Sequence, residues 1–165
     1  MPDLPGQLIR HRGFFNYEAL LKAINEWFVY EDILFDIGSY KYKIPSPMGI
    51  DKDVKFKGEK KLSEYVKMGI EVHIKVFGMR DVELIQDGKK LVVQEGQLRI
   101  MISPKIDFDW QGRYKNRGEF VKWLGDFMEK KILKYKIGDY WEDMVLLKAM
   151  ELAKVIRTTI GQEVV

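Results

Sequence analysis

The clearest pattern in the chain is a run of alternating apolar and polar residues that begins at Val66. Apolar side chains occupy every second position through Val76, and polar residues or glycine occupy the positions between them. Side chains of a strand alternate between its two faces, so this run predicts a long strand with one buried and one solvated face. Shorter alternating runs follow at residues 82–84, 91–93, 98–102 and 106–108.

Turn-forming residues separate these and the earlier β-type segments. Asp87-Gly88 is typical of a two-residue hairpin turn, and Glu95-Gly96 predicts a second turn. Residues 33–37 and 40–44 are rich in β-formers, and Gly38-Ser39 between them predicts a hairpin. Residues 51–61 are mostly charged, which indicates a short edge strand or an exposed loop. Together these segments predict an antiparallel meander of about 4–6 strands.

Apolar residues recur with the helical period of 3.6 in three other segments. Asn16 can cap a helix that continues to about Tyr30, a second helix is expected from Gly118 to about residue 132, and a third from Asp139 to Gly161. We therefore expect an α+β fold with an N-terminal helix, the antiparallel sheet, and two C-terminal helices packed on one sheet face. Residues 1–13 are expected to form an irregular arm, because prolines and glycines interrupt them, and residues 14–165 a single α+β domain.

Composition limits the chemistry that the chain can perform. The 165 residues include no cysteine, which excludes disulfides, thiolate metal sites and a cysteine nucleophile. The net charge is only +3, but basic residues are concentrated in residues 41–61, with seven basic and three acidic side chains, and in residues 110–137, with eight and three. The N-terminus lacks the pattern of a signal peptide and no apolar run is long enough to span a membrane, so we expect a soluble, cytoplasmic protein.

Three polar residues share the solvated face of the long strand. Glu71, His73 and Lys75 alternate, so neighbouring side chains project together about 7 Å apart. A carboxylate, an imidazole and an amine at this spacing suit proton transfer at one bound ligand. A half-solvated sheet also places polar residues at these positions, and this is the interpretation we favour.

An acidic pair ends the last predicted strand. Asp107 and Asp109 lie on one strand face beside the turn at residues 110–112. Such a pair can hold a divalent metal ion or divide into a general acid and a base. The alternative is a pair of solvated carboxylates at a strand end.

The loop after this pair alternates cationic and aromatic residues. Arg113, Lys115 and Arg117 are suited to contact phosphates, and Tyr114 to stack on a base. The segment is also compatible with a solvated basic surface, since charged runs commonly do no more than solvate a loop.

The usual catalytic signatures are missing from the sequence. It contains no glycine-rich phosphate-binding loop, no Gly-x-Ser-x-Gly elbow and no His-Glu-x-x-His pair, so we expect no cofactor. We expect a non-enzymatic binding or assembly protein that acts through protein–protein contacts, with self-association included. The alternatives are a nucleic-acid-binding module that uses residues 110–117 and a small enzyme built on the acidic pair.

Overall fold

The structure is a computed structural model that describes residues 4–42, 49–63, 65–108 and 139–161. Its elements follow one another in the order β1 (Gln7–Phe15), α1 (Tyr17–Tyr30), β2 (Leu34–Tyr42), β3 (Ile50–Lys61), β4 (Val66–Gln86), β5 (Lys89–Phe108) and α2 (Asp139–Ile160).

The five strands form one antiparallel sheet in the order β1-β5-β4-β3-β2. Strands β2 to β5 are a meander, in which each strand pairs with the next. Helix α1 connects β1 and β2, which are the two outermost strands of the sheet. Strand β1 pairs with β5 at the other end of the meander, with Ile9 opposite Ile100. The predicted α+β class and antiparallel sheet are confirmed.

The core lies between the two helices and one face of the sheet. The alternating apolar residues of β4 from Val66 to Val76 are each at most 2% exposed, as their period predicts. Helix α1 adds Leu20, Ile24 and Phe28, and the Phe28 ring stacks on Phe35 of β2. Helix α2 adds its own apolar stripe, which consists of Val145, Ala149, Leu152, Ala153, Ile156 and Ile160.

Local chemistry sets the ends of both helices as the sequence indicates. The Asn16 side chain accepts a hydrogen bond of 3.0 Å from the Ala19 amide, which satisfies one of the free N–H groups in the first turn of α1. Helix α2 ends before Gly161, whose φ of +83° is in the left-handed region that glycine adopts without strain.

The N-terminal prediction was wrong in part, because residues 7–15 form strand β1 rather than an irregular arm. Both prolines precede this strand, so neither interrupts its backbone pairing with β5. The short alternation around Ile9 was too weak a signal to predict a strand by itself.

Two predicted turns are also absent. Gly38-Ser39 lies within β2, where the register shifts between Ile37 and Tyr40 as in a β-bulge. At Gly96 the strand continues, and the missing side chain admits the backbone of β4, since an added Cβ would lie 3.0 Å from the Phe77 carbonyl oxygen. The glycines here accommodate strand irregularities and do not reverse the chain.

Residues 51–61 form neither an edge strand nor a loop. They belong to β3, which pairs with β2 on one side and β4 on the other. The predicted helix from Gly118 to residue 132 lies outside the described residues, and the C-terminal helix within them is α2. Neither α1 nor α2, the helices of the described residues, has an apolar stretch that could cross a membrane.

Candidate functional site on the open face of the sheet

The face of the sheet opposite the two helices is built mainly from polar residues. Residues that pair laterally across strands share a face, so the register identifies which charged side chains lie here together. The cationic members outnumber the carboxylates. They are Arg10, Arg12, Lys55, Lys57, Lys61, Lys67, Lys75, Arg80, Arg99 and Lys105, against Asp36, Asp53, Glu59, Glu71, Glu95 and Asp107.

Glu71 lies at the centre of an ion-pair cluster on this face. Its carboxylate oxygens lie 3.3 Å from Lys105 Nζ, 3.6 Å from Lys55 Nζ and 3.9 Å from Lys57 Nζ. Burial raises the pKa of Glu71, but the hydrogen bond and charge of Lys105, with the charges of Lys55 and Lys57, outweigh it and lower the pKa below its usual value. Glu71 is therefore held as a carboxylate shared by three lysines.

The other two polar residues of β4 have different neighbours. His73 Nε2 lies 2.5 Å from Asp53 Oδ1 of β3, and Lys75 lies directly opposite Asp53 on one side and Arg99 on the other. The strand thus places Glu71, His73 and Lys75 on one face, as their spacing requires. The described contacts tie Glu71 to lysines and His73 to an aspartate, and none joins the two residues into a proton-transfer pair.

Asp107 is the described member of the predicted acidic pair. It is half-buried on β5 opposite Lys67, whose Nζ lies 2.9 Å from Glu59 Oε2. Asp109 lies outside the described residues, as do the predicted nucleic-acid contacts Arg113, Tyr114, Lys115 and Arg117. Among the described residues, no three histidine or acidic side chains are grouped closely enough to hold a metal ion.

A charged cleft of about 730 Å³ is lined mainly by residues of β2 and β3, and by Asp32 just after helix α1. Its walls carry both signs of charge, because Asp32, Asp36 and Glu59 alternate with lysines. The apolar side chain of Leu34 at its wall is 84% exposed. Its described lining residues include no converging set of catalytic groups.

The β4–β5 hairpin extends beyond the rest of the sheet. Pairing of β3 with β4 stops at Met79, and pairing of β1 with β5 stops at Gln94. Beyond these points residues 82–93, the distal ribbon, pair only with one another among the described residues. The turn at Asp87-Gly88, with φ of 52° and 77°, has the two left-handed residues of the predicted hairpin turn.

Large apolar side chains remain exposed on the distal ribbon. Ile85 is 77% exposed, Val92 56% and Leu91 44%. Val82, Leu84 and Val93 are half-buried. The ribbon therefore presents apolar side chains on both of its faces.

Sequence reasoning missed two cross-strand rows on the open face that together carry four cationic residues. The first row is Arg10, Arg99 and Lys75, and the second is Arg12, Gln97 and Phe77, with direct register between neighbouring strands. Most of these residues line a shallow depression of about 450 Å³. The alternation of Arg10 and Arg12 about His11 was the available signal, but it fell within the segment taken as an irregular arm.

Comparison with known proteins adds no family to this picture. No protein-family model and no curated protein matches the chain. We therefore infer function from the geometry of the open face and of the distal ribbon.

Proposed function

We propose that the chain is a binding and assembly protein whose distal ribbon pairs with the distal ribbon of a second copy. The observation that carries this proposal is the exposure of Ile85, Leu91 and Val92 on a two-stranded ribbon that extends past its neighbouring strands. An isolated two-stranded hairpin is at best marginally stable in water. Association would supply the packing that the ribbon lacks.

The gain from association is large enough to matter. Complete burial of a valine, leucine or isoleucine side chain contributes about 1.5–3 kcal/mol. Burial of even part of Ile85, Leu91 and Val92 would add several kcal/mol to the assembled state. This gain offsets the entropy that two chains lose when they associate.

The β4 edge of the ribbon is better suited than the β5 edge to pair with a second copy of the chain. Lys89 and Lys90 lie on β5, and lysines on an edge strand oppose edge-to-edge pairing. The β4 segment carries one charge between residues 82 and 86, at Glu83. In an antiparallel pairing of two copies centred on Leu84, Glu83 faces Ile85 of the second copy, so no like charges meet within residues 82–86.

The test measures the molar mass of the purified chain by size-exclusion chromatography with light scattering. We expect twice the chain mass of 19.5 kDa, unchanged by salt because the contact is apolar. The double substitution Ile85→Lys/Val92→Lys should give a monomer. Its matched control, Leu147→Lys/Met150→Lys, changes two comparably exposed apolar residues on α2 and should leave the dimer intact.

Two results would contradict the proposal. One is a monomer at concentrations well above those in a cell. The other is a dimer that survives the ribbon substitutions but dissociates with the α2 control, which would place the contact on the helix.

A further inference from the structure

We propose that the four cations of these two cross-strand rows, Arg10, Arg99, Lys75 and Arg12, bind the phosphodiester backbone of single-stranded nucleic acid. This inference concerns a different surface from the distal ribbon, and it goes beyond self-association. It also differs from the basic loop at residues 110–117, because these cations come from regular strands and are held in lateral register.

The first row brings like charges directly opposite one another. Arg99 of β5 faces Arg10 of β1 on one side and Lys75 of β4 on the other. Like charges in direct cross-strand register destabilise a sheet. Three cations side by side on regular strands are therefore explained better by an anion that binds across them than by stabilisation of the fold.

The cations of these rows differ from those around Glu71. Lys55, Lys57 and Lys105 share one carboxylate there. Within the described part of the chain, no carboxylate lies at ion-pair distance from Arg12, Lys75 or Arg99. Their charge is consequently available to a ligand, and guanidinium groups match phosphate oxygens in geometry.

The aromatic residues beside the rows favour nucleic acid over a simple anion. Phe77 of β4 ends the second row and is 43% exposed. Phe14 of β1, opposite Glu95, lies on the same face of the sheet and is 50% exposed. Exposed rings beside a cationic groove stack on the bases of single strands without regard to sequence. Gln97, between Arg12 and Phe77, offers a further hydrogen-bonding group.

The shape of the surface favours a single strand over a duplex. Neighbouring strands lie about 4.8 Å apart, so the first row extends over about 10 Å of flat sheet. Reading of a duplex requires an element that enters a groove, such as a helix or a β-ribbon. A flexible single strand can lie across the sheet with phosphates on the rows and bases on the rings.

The experiment measures binding of fluorescently labelled DNA and RNA oligonucleotides of about 12 nucleotides by anisotropy. Three to four phosphate contacts predict a slope of about −2 to −3 in a plot of log K against log salt. Affinity should therefore fall about 20- to 50-fold between about 50 and 200 mM salt. A duplex of the same sequence should bind more weakly.

Substitutions locate the site. Arg12→Glu/Arg99→Glu should lower affinity about tenfold or more, whereas Lys22→Glu/Lys154→Glu changes the net charge equally on the helical side and should have little effect. Phe77→Ala should lower affinity about fivefold or more at unchanged salt slope. Arg99→Gln provides a milder second variant, and circular dichroism melts verify that each variant is folded.

The outcomes that would overturn the proposal are distinct. Binding that Arg12→Glu/Arg99→Glu leaves unchanged would place the contact elsewhere. Binding to vesicles of anionic lipid without binding to oligonucleotides would assign the rows to a membrane surface. Failure to bind either probe at low salt would reduce the rows to solvated charge.

Discussion

The two faces of strand β4 use the same backbone for different purposes. Ile74 points into the core and is 1% exposed, whereas the next residue, Lys75, lies on the open face between Asp53 and Arg99. Helices α1 and α2 pack only on the first face. The contrast indicates that folding depends mainly on one set of alternate residues, while the other set remains at the surface.

The energetics of the two faces differ in the same way. Apolar burial on the covered face contributes several kcal/mol per side chain, while exposed ion pairs contribute about 1 kcal/mol or less. The charges of the open face are therefore weakly constrained by stability. Like charges opposite each other, as at Arg10 and Arg99, lower the stability of the sheet by a small amount that burial on the covered face offsets.

The largest expected effect comes from truncation on the covered face. Ile74→Ala removes buried methyl groups and leaves a cavity, so we expect the free energy of unfolding to fall by about 2–5 kcal/mol. The adjacent Lys75→Ala should change it by no more than about 0.5 kcal/mol. Urea denaturation measures both variants, and similar losses for the two would contradict the division between the faces.

A second effect on the covered face comes from adding a methyl group. Gly58 of β3 lies under helix α1, and a Cβ there would lie 2.7 Å from Phe28 Cε1 and 2.9 Å from Ile33 Cγ2. Gly58→Ala should therefore destabilise the fold by about 1–3 kcal/mol through overpacking. In a double-mutant cycle, Phe28→Leu should relieve part of this loss, and strict additivity would show that the two groups do not clash.

Periodicity in the sequence predicts which residues lie on the covered face, but it does not predict which strands pair over long distances along the chain. The β4 alternation and the helical stripes of α1 and α2 are local patterns, and each fixes which side of its element is buried. The pairing of β1 with β5 joins residues about ninety positions apart, and no local pattern encodes it. The irregularity near Gly96 depends on the backbone of β4 and is equally non-local.

The candidate site was harder to predict for the same reason. The sequence places Glu71, His73 and Lys75 on one face, but their partners Lys105, Asp53 and Arg99 come from other strands. The rows that include Arg10 and Arg12 exist only once β1 joins the sheet. Lateral register, not spacing along the chain, determines which charges meet.

Low pH should weaken the ion pairs between Glu71 and its three lysines on the open face. Its pKa is lower in the folded chain than its usual value of 4.5, so its stabilising contribution is present above that value and is lost as the pH falls through the folded pKa. Glu71→Gln should cost about 1 kcal/mol at neutral pH and progressively less as the pH falls below 4.5. Denaturant unfolding across this pH range measures the difference, and a difference that does not change with pH would exclude the ion-pair cluster as its source.

The smallest expected changes in the free energy of unfolding have opposite signs in two parts of the open face, the row at Arg99 and the cluster around Glu71. Arg99→Gln removes a cation that faces two other cations, so the free energy of unfolding should stay constant or rise by up to about 0.5 kcal/mol. Lys105→Gln, also on the open face of β5, removes the lysine nearest to Glu71. It should lower the free energy of unfolding by about 0.5 kcal/mol. Urea denaturation at low salt resolves the pair, and added salt should shrink both differences. A loss of stability at Arg99 equal to that at Lys105 would mean that Arg99 stabilises the fold, and the repulsion argument for a bound anion would then fail.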